Sequence, residues 1–208
     1  MRELIALVGA MMALNALSID ILLPALTEIA QSYSVSGNAA QLLITAYVFG
    51  FGLAQLGFGP AADAYGRRAV LIVSLAGYAA ASVLALLANS FETLLAARFL
   101  QGLAAAGSRV IAVALVRDLV SGRRMAEIMS FVMTVFMVAP IIAPSLGQLL
   151  MLSGRWIWIF AALLTGGAGL LAWTFVRLPE TLAPARRSPL SPQGTARNYW
   201  AAARNRVT

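Results

Sequence analysis

The chain has 208 residues, of which 61% are hydrophobic and 11% are charged, whereas soluble domains average roughly 45–50% apolar and about 25% charged residues. This composition excludes an ordinary soluble globular protein. The chain has no Cys and no His, and all 15 basic residues are Arg. Disulfides, Cys/His zinc sites, thiol or His-based catalysis and lysine Schiff bases are therefore excluded. We expect the chain not to be an enzyme and to carry no metal and no cofactor.

Uncharged runs long enough to cross a bilayer, which takes about 20 apolar residues per helix, predict six membrane spans. We place these spans near Leu4–Leu26, Ala39–Ala62, Ala69–Ala88, Glu92–Val116, Ala126–Leu152 and Trp156–Val176. The predicted fold class is all-α, with residues 1–176 forming an integral-membrane six-helix bundle. Residues 177–208 are rich in Pro, Arg and Ser and are predicted to form a basic cytoplasmic linker or tail ending in a short amphipathic helix.

The arginines outside the spans indicate how the chain is oriented. One side of the membrane holds Arg2, Arg67, Arg68, Arg117, Arg123, Arg124, Arg177, Arg186, Arg187, Arg197, Arg204 and Arg206. The other side holds only Arg155. Since short loops rich in Arg stay in the cytoplasm, both termini are predicted to be cytoplasmic. The net charge of +7 then reflects topology and contact with anionic lipid, and we expect no nucleic-acid partner.

Two predicted spans carry an ionisable residue at matching depth. Asp20 is about 24 Å from the cytoplasmic end of the first span, and Arg98 is about 9 Å from the outer end of the fourth. A charged side chain in the hydrocarbon costs about 2.5–3.5 kcal/mol on insertion scales, so such residues face a partner or a water-filled cavity. We expect Asp20 and Arg98 to line one cavity, where burial favours the neutral carboxyl and the guanidinium favours the carboxylate. The alternative is a permanent structural ion pair between the two spans.

A second arginine of the fourth span, Arg109, follows Arg98 by eleven residues. Eleven steps of about 100° nearly complete three turns, so the two arginines share one face of the helix. Because Arg109 lies toward the cytoplasmic end, we expect its side chain to extend along the helix to the headgroup region.

Small residues at helical spacing predict close contacts between spans. These residues are Gly50, Gly52, Gly57 and Gly59 in the second span and Gly102 and Ala106 in the fourth. In the fifth span, Pro140 and Pro144 are one turn apart and Gly147 follows. Two backbone hydrogen bonds are missing there, so we expect this helix to bend.

The loop after the second span reads GPAADAYGRR and resembles motif A of the major facilitator superfamily. The residues that carry this resemblance are Gly59, Asp63, Gly66, Arg67 and Arg68. A glycine at position 66 permits a tight turn. Asp63 is expected to hold the two arginines or to cap the next helix.

Further segments extend the resemblance over almost the whole chain. LLAARFLQG is similar to motif B, with Arg98, Gln101 and Gly102 at its positions, and APIIAPSLG is similar to motif C of the antiporter branch. Together with LSIDILLPAL and RLPETL, these motifs resemble the bicyclomycin-resistance (Bcr/CflA) subfamily of drug:proton antiporters. The resemblance implies a multi-pass protein of the bacterial inner membrane that exports small drugs in exchange for protons.

The resemblance also implies roles for individual residues. Asp20 becomes the candidate proton-coupling carboxylate and Arg98 the buried arginine that influences its charge state. The gate loop comprises Gly59, Asp63, Gly66, Arg67 and Arg68. Asp118 either belongs to the charge cluster of this loop or is a solvent-exposed charge at the end of its helix. Pro140, Pro144 and Gly147 form the helix bend. Asn15, Tyr47, Gln55 and Gln101 are candidate contacts in the substrate cavity, and each is an equally good candidate for a contact between helices.

Transporters of this superfamily have two six-span halves with substrate bound between them, and this chain holds one such half, the N-terminal one. The partners we expect are a small-molecule drug, protons, the lipid bilayer and a second six-span half. We expect the chain to be part of a longer transporter. The alternatives are a half-size transporter that pairs with its own copy, a membrane protein that binds another transporter without carrying substrate, and a six-span channel.

Overall fold

A computed structural model describes residues 2–152 and 154–188. Over these residues the chain has six helical segments long and apolar enough to cross a membrane. The helices are α1 (Arg2–Asp20), α2 (Leu26–Ser32), α3 (Gly37–Tyr65), α4 (Arg67–Leu86), α5 (Phe91–Leu119), α6 (Gly122–Met151) and α7 (Ile157–Arg177). The six predicted spans are therefore confirmed. The amphipathic helix predicted in the tail, with Arg197, Arg204 and Arg206, lies outside the described residues.

The first span is broken, so the prediction of one continuous helix from Leu4 to Leu26 is wrong. Helix α1 ends at Asp20, a 3₁₀ turn follows at Leu23–Ala25, and α2 continues to Ser32. Pro24 explains the position of the break, because a proline lacks the N–H that would bond the carbonyl four residues earlier, and its ring clashes with that carbonyl. The residue four before Pro24 is Asp20.

The other helix ends follow from local chemistry. The hydroxyl groups of Ser36 and Ser90 accept hydrogen bonds of 3.2 Å from the backbone N–H groups of Ala39 and Thr93. These contacts satisfy free donors in the first turns of α3 and α5. Gly66 separates α3 from α4 with a φ of +98°, a conformation that strains any residue with a side chain.

The helices form two rows. The front row consists of α3, α5, α1 and α6, each packed on the next. The back row consists of α4 and α7, which pack on each other, and α4 also packs on α5 of the front row. The two outer helices of the front row, α3 and α6, have only 17% of their most apolar segment buried, against 56% for α5 and for the first span. We call the uncovered side of the front row the open face.

Both ends of the chain's described part lie at one end of the bundle. The Glu3 carboxylate is 3.5 Å from the Arg177 guanidinium, and the Ser188 N–H donates to the Asp63 carbonyl at 3.1 Å. This end also holds the start of α4, and we call it the basic end. Its cytoplasmic location stays a prediction from the distribution of arginines.

Two glycines allow α3 and α5 to touch along their backbones. A Cβ on Gly102 would overlap the Tyr47 carbonyl, and a Cβ on Gly50 would overlap the Phe99 carbonyl. The expected close contacts through Gly52, Gly57 and Gly59 are not formed within this bundle, since a Cβ on any of them would meet no atom within 4 Å. Gly52 and Gly59 lie on the side of α3 away from Gly50, so they remain uncovered.

We predict that Gly102→Ala destabilises the bundle, because overpacking a tight contact costs about 1–3 kcal/mol. Tryptophan fluorescence during thermal unfolding in detergent measures the change. Gly52→Ala is the control, since it adds the same methyl group to α3 where nothing is in contact. Equal unfolding temperatures for the two variants would contradict the contact.

Candidate functional site

The centre of the bundle holds a buried guanidinium. Arg98 of α5 is 0% exposed and donates hydrogen bonds to Gln101 Oε1 at 2.5 Å, to the Ser18 carbonyl at 2.9 Å and to the Leu43 carbonyl at 3.4 Å. Its guanidinium carbon also lies 4.5 Å from the centroid of the Tyr47 ring. Since a buried charge is costly unless its donors are satisfied, this set of acceptors explains how Arg98 is tolerated there.

A chain of hydrogen bonds extends from Arg98 to the back row. The Gln101 amide donates to Ser82 Oγ at 2.8 Å, and Ser82 donates to the Tyr78 carbonyl at 2.8 Å. The Tyr78 hydroxyl lies 2.6 Å from Ser18 Oγ. Ser18, Tyr78 and Ser82 are not among the site residues predicted from the sequence. Their only signal was polarity inside apolar spans.

Asp20 lies on the open face. Residues of α1 at spacings of three and four are incompletely buried: Glu3, Ala6, Ala10, Ala13, Leu17 and Asp20. Because α5, α6 and α7 cover the other sides of α1, this stripe faces the opening. Asp20 is the last residue of α1, and within the described ranges its carboxylate has no hydrogen bond and no ion pair.

The expected cavity shared by Asp20 and Arg98 is therefore wrong in one respect. Asp20 faces the opening, but Arg98 does not line it, and the two side chains form no ion pair within 4.0 Å in the described part of the chain. Arg98 bonds instead to the backbone of Ser18, two residues before Asp20. Two steps along a helix turn the side chain by about 200°, so the side chains of Ser18 and Asp20 point to opposite sides.

The break after Asp20 is where motifs B and C meet. The last carbonyl groups of a helix have no partner within that helix, and Arg98 supplies a donor to one of them at Ser18. On the α6 side, a Cβ on Gly147 would overlap the Ile21 carbonyl and lie 2.8 Å from Pro24. A bare backbone at Gly147 thus lets α6 reach the broken segment that follows Asp20.

Helix α6 is continuous from Gly122 to Met151 through both Pro140 and Pro144. The expected bend at these prolines stays a prediction.

Three of the four candidate cavity residues are buried between helices. Asn15 donates to Ser108 Oγ at 2.9 Å, and Tyr47 and Gln101 are part of the Arg98 environment. These three side chains make the contacts between helices that were the alternative expected for them, and a role in a substrate cavity stays a prediction. Gln55 alone among the four lines an open cavity, at the basic end.

The gate-loop residues form a charge cluster at the basic end. The Arg67 guanidinium lies 2.6 Å from the Asp63 carboxylate and 3.1 Å from that of Asp118. Thr181, beyond α7, also donates to Asp118 at 3.4 Å. The cluster therefore ties the ends of α3 and α5 to the start of α4, and Asp118 belongs to it.

The cap of α4 comes from Glu180 rather than from Asp63, which corrects one of the two roles expected of Asp63. The Glu180 carboxylate accepts hydrogen bonds from the backbone N–H groups of Arg67 at 3.0 Å and Arg68 at 3.3 Å. The Arg68 guanidinium donates to the Phe175 carbonyl at 2.8 Å. Glu180 is part of RLPETL, and its distance in sequence from α4 concealed this role.

We predict that Glu180→Gln lowers the free energy of unfolding by about 1 kcal/mol, as expected for loss of a charged helix cap. Urea or thermal unfolding in detergent measures it. Glu127→Gln serves as control, because Glu127 makes only an exposed pair with Arg123 at 3.2 Å, and such pairs contribute about 0.3–0.5 kcal/mol. A Glu180→Gln effect no larger than the control would contradict the capping role.

Comparisons with known proteins agree on one family. Residues 8–207 match the family model described as Major Facilitator Superfamily. A relative from Haemophilus influenzae, "Bicyclomycin resistance protein homolog", is 32% identical over 191 residues, which cover 92% of this chain and 48% of the relative. "Multidrug resistance protein MdtL" of Escherichia fergusonii is 36% identical over 172 residues, covering 83% of this chain and 44% of that protein.

The fold agrees as well. The proton:xylose symporter XylE superposes with a TM-score of 0.75 at 13% sequence identity, covering 86% of this chain and 45% of that structure. This chain therefore spans about half the length of the relatives that it matches.

Proposed function

This chain belongs to the Major Facilitator Superfamily, a family of transporters, and from that premise we propose that it forms one six-helix half of a proton-coupled drug exporter of the bicyclomycin-resistance type. The names of the relatives from Haemophilus influenzae and Escherichia fergusonii support drug export. The membrane is then the bacterial inner membrane, with the basic end in the cytoplasm.

The proposal depends on one observation, the carboxyl of Asp20 on the open face inside a membrane span. An ionised side chain in this position is stable when water reaches it and costly when apolar surface covers it. The neutral acid tolerates both surroundings. Binding and release of a proton at Asp20 would therefore change the relative free energies of the open and covered states of this face.

Arg98 would influence this proton exchange without direct contact. It holds the Ser18 carbonyl at 2.9 Å, which keeps a permanent positive charge at the end of α1 that carries Asp20. A nearby cation favours the ionised carboxyl. Because Arg98 is buried and each of its guanidinium nitrogens donates a hydrogen bond, it would remain in place while the half moves as a rigid unit against its counterpart.

We predict that Asp20→Asn abolishes export driven by a proton gradient, because the amide does not exchange a proton. The measurement is dye accumulation in everted vesicles of an exporter-deficient strain, started by making the lumen acidic, with equilibrium binding of the dye recorded separately. Glu92→Gln is the control, since Glu92 is exposed at the start of α5 and has no ion pair among the described residues. Unchanged efflux by Asp20→Asn would leave Asp20 with a structural role only.

We also propose that a second six-span unit covers the open face. Its two border helices carry large exposed apolar side chains, among them Leu53 and Leu56 on α3 and Met137 and Ile141 on α6. These apolar side chains suit contact with a second helical bundle that moves against this one as a rigid body. The unit is either a further half of a longer chain or a second copy.

This covering can be tested with single cysteines, because the chain has none of its own. Met137→Cys on α6 and Val73→Cys on α4 are matched, with 71% and 70% of the native side chains exposed in this half. We predict that a spin label at position 137 is protected from lipid-soluble oxygen in the native membrane, whereas one at position 73 is accessible. Equal accessibility would exclude a partner on the open face.

A further inference from the structure

The Arg109 side chain contacts an aromatic ring of α6, and its expected extension to the headgroup region stays a prediction. Its guanidinium carbon lies 4.7 Å from the centroid of the Phe136 ring on α6. Phe136 is fourteen residues into α6, or about 21 Å from the end of that helix at the basic end. The side chain therefore reaches from α5 toward α6, and its Cα lies eight residues, or about 12 Å, from that of Arg117 at the basic end.

The guanidinium of Arg109 has an aromatic neighbour but no acidic one. In the part of the chain that the structure describes, no carboxylate lies within 4.0 Å of it. The opposite situation holds for Arg67, which takes both acidic side chains of the region, Asp63 and Asp118. A cation within a membrane span is costly unless a partner or a water-filled cavity accepts it, and such residues often mark ligand or ion pathways.

Arg109 also lines a cavity of about 490 Å³ that opens at the basic end. The cavity extends between α5 and α3, and its charged lining residues are Asp63, Arg67, Arg109, Arg117 and Asp118. Two carboxylates and three guanidinium groups leave one formal positive charge. Since both carboxylates bond to Arg67, the excess positive charge is located at Arg109 and Arg117.

The remaining lining supplies surfaces for an amphipathic molecule. Gln55 contributes an amide, and Val110, Val113 and Ala114 contribute an apolar wall. A guanidinium matches a carboxylate in two parallel hydrogen bonds. The apolar wall would take the body of the molecule, as in most small-molecule sites, where a few polar groups orient a mainly apolar ligand.

We propose that Arg109 is a specificity residue that binds the carboxylate of an amphipathic organic acid entering from the basic end. This inference rests on the proposed function, because it names the class of substrate that the exporter takes. Arg98 takes no part in binding, since it is fully buried and each of its guanidinium nitrogens donates to an acceptor within the bundle. Asp20 lies at the end of α1 away from the basic end, on the order of 10 Å further along the membrane normal than Arg109. Its negative charge is therefore too distant to compete with an anion for Arg109.

The test is a comparison of two dyes that differ only in the acidic group, a rhodamine with a free benzoate and its methyl ester. Their equilibrium binding to the protein in lipid nanodiscs is measured by fluorescence anisotropy. We expect the acid to bind at least about tenfold more tightly than the ester, since a charge-assisted bidentate contact is lost in the ester. Equal affinities, or no binding of the acid, would overturn the proposal.

Variants at Arg109 separate charge recognition from structural damage. Arg109→Gln is expected to remove the preference for the acid, Arg109→Lys to keep part of it and Arg109→Glu to reverse it in favour of the cationic ester. Arg123→Gln is the control, because the Arg123 side chain is 94% exposed and pairs with Glu127 outside the cavity. A preference that persists in Arg109→Gln, or a reversal that fails in a folded Arg109→Glu, would overturn the assignment.

The binding experiment requires no transport, so it is independent of proton coupling. If proton-driven efflux fails while the acid still binds through Arg109, the proposed function is wrong and the site stands. If the ester is exported under a proton gradient but the two dyes bind equally, the exporter stands and the anion site is wrong.

Discussion

The bundle depends on one buried cation. Arg98 has no exposed surface, and a charge in that position must be balanced by fixed dipoles or it would destabilise the fold by several kcal/mol. Acceptors come from three helices: the Ser18 carbonyl on α1, the Leu43 carbonyl on α3 and the Gln101 side chain on α5 itself. Their positions fix how α1, α3 and α5 sit relative to one another. The backbone contact between Gly102 and Tyr47 is part of the same arrangement, because it brings the Tyr47 ring under the guanidinium.

This constraint explains why a broken helix can carry Asp20. A break inside a membrane exposes unpaired carbonyl groups, which hydrocarbon does not tolerate unless protein covers them. Arg98 bonds the end of α1 from one side, and α6 packs closely from the other at Gly147. Asp20 is thereby held at the open face by groups that do not themselves face the opening. At the basic end, Arg67 and Glu180 perform a comparable task, since they join three helix ends and the segment beyond α7 through charged hydrogen bonds.

The bundle thus contains arginines in two different states. Arg67 and Arg98 donate hydrogen bonds to neighbouring helices and hold them together. Arg109 instead lies against Phe136, with no carboxylate within 4.0 Å in the described residues. Position alone does not distinguish the two states, since Arg98 and Arg109 share a helix and a face. The distinction comes from what the neighbouring helices present at each depth: carbonyl and amide oxygens near Arg98, and an aromatic ring and a cavity near Arg109. For this reason we assign structure to the first and recognition to the second.

Much of the architecture is determined by the sequence alone. Apolar runs of about 20 residues cross the membrane as helices, because a helix satisfies every backbone group within its own segment, and Pro24 explains where the first of them breaks. The tight turn at Gly66 also brings Asp63 and Arg67 into contact, because the two residues are only four positions apart in the sequence. Tertiary structure decided what each polar side chain meets. The rotation of the helices decides whether Arg98 bonds Asp20 or the Ser18 backbone. Tertiary packing also decides whether Asp63 or the remote Glu180 caps α4. It likewise decides whether Asn15 and Gln101 face a cavity or a neighbouring helix. Helix rotation is set by close packing of many side chains and backbones at once, and no single segment of the chain contains that information.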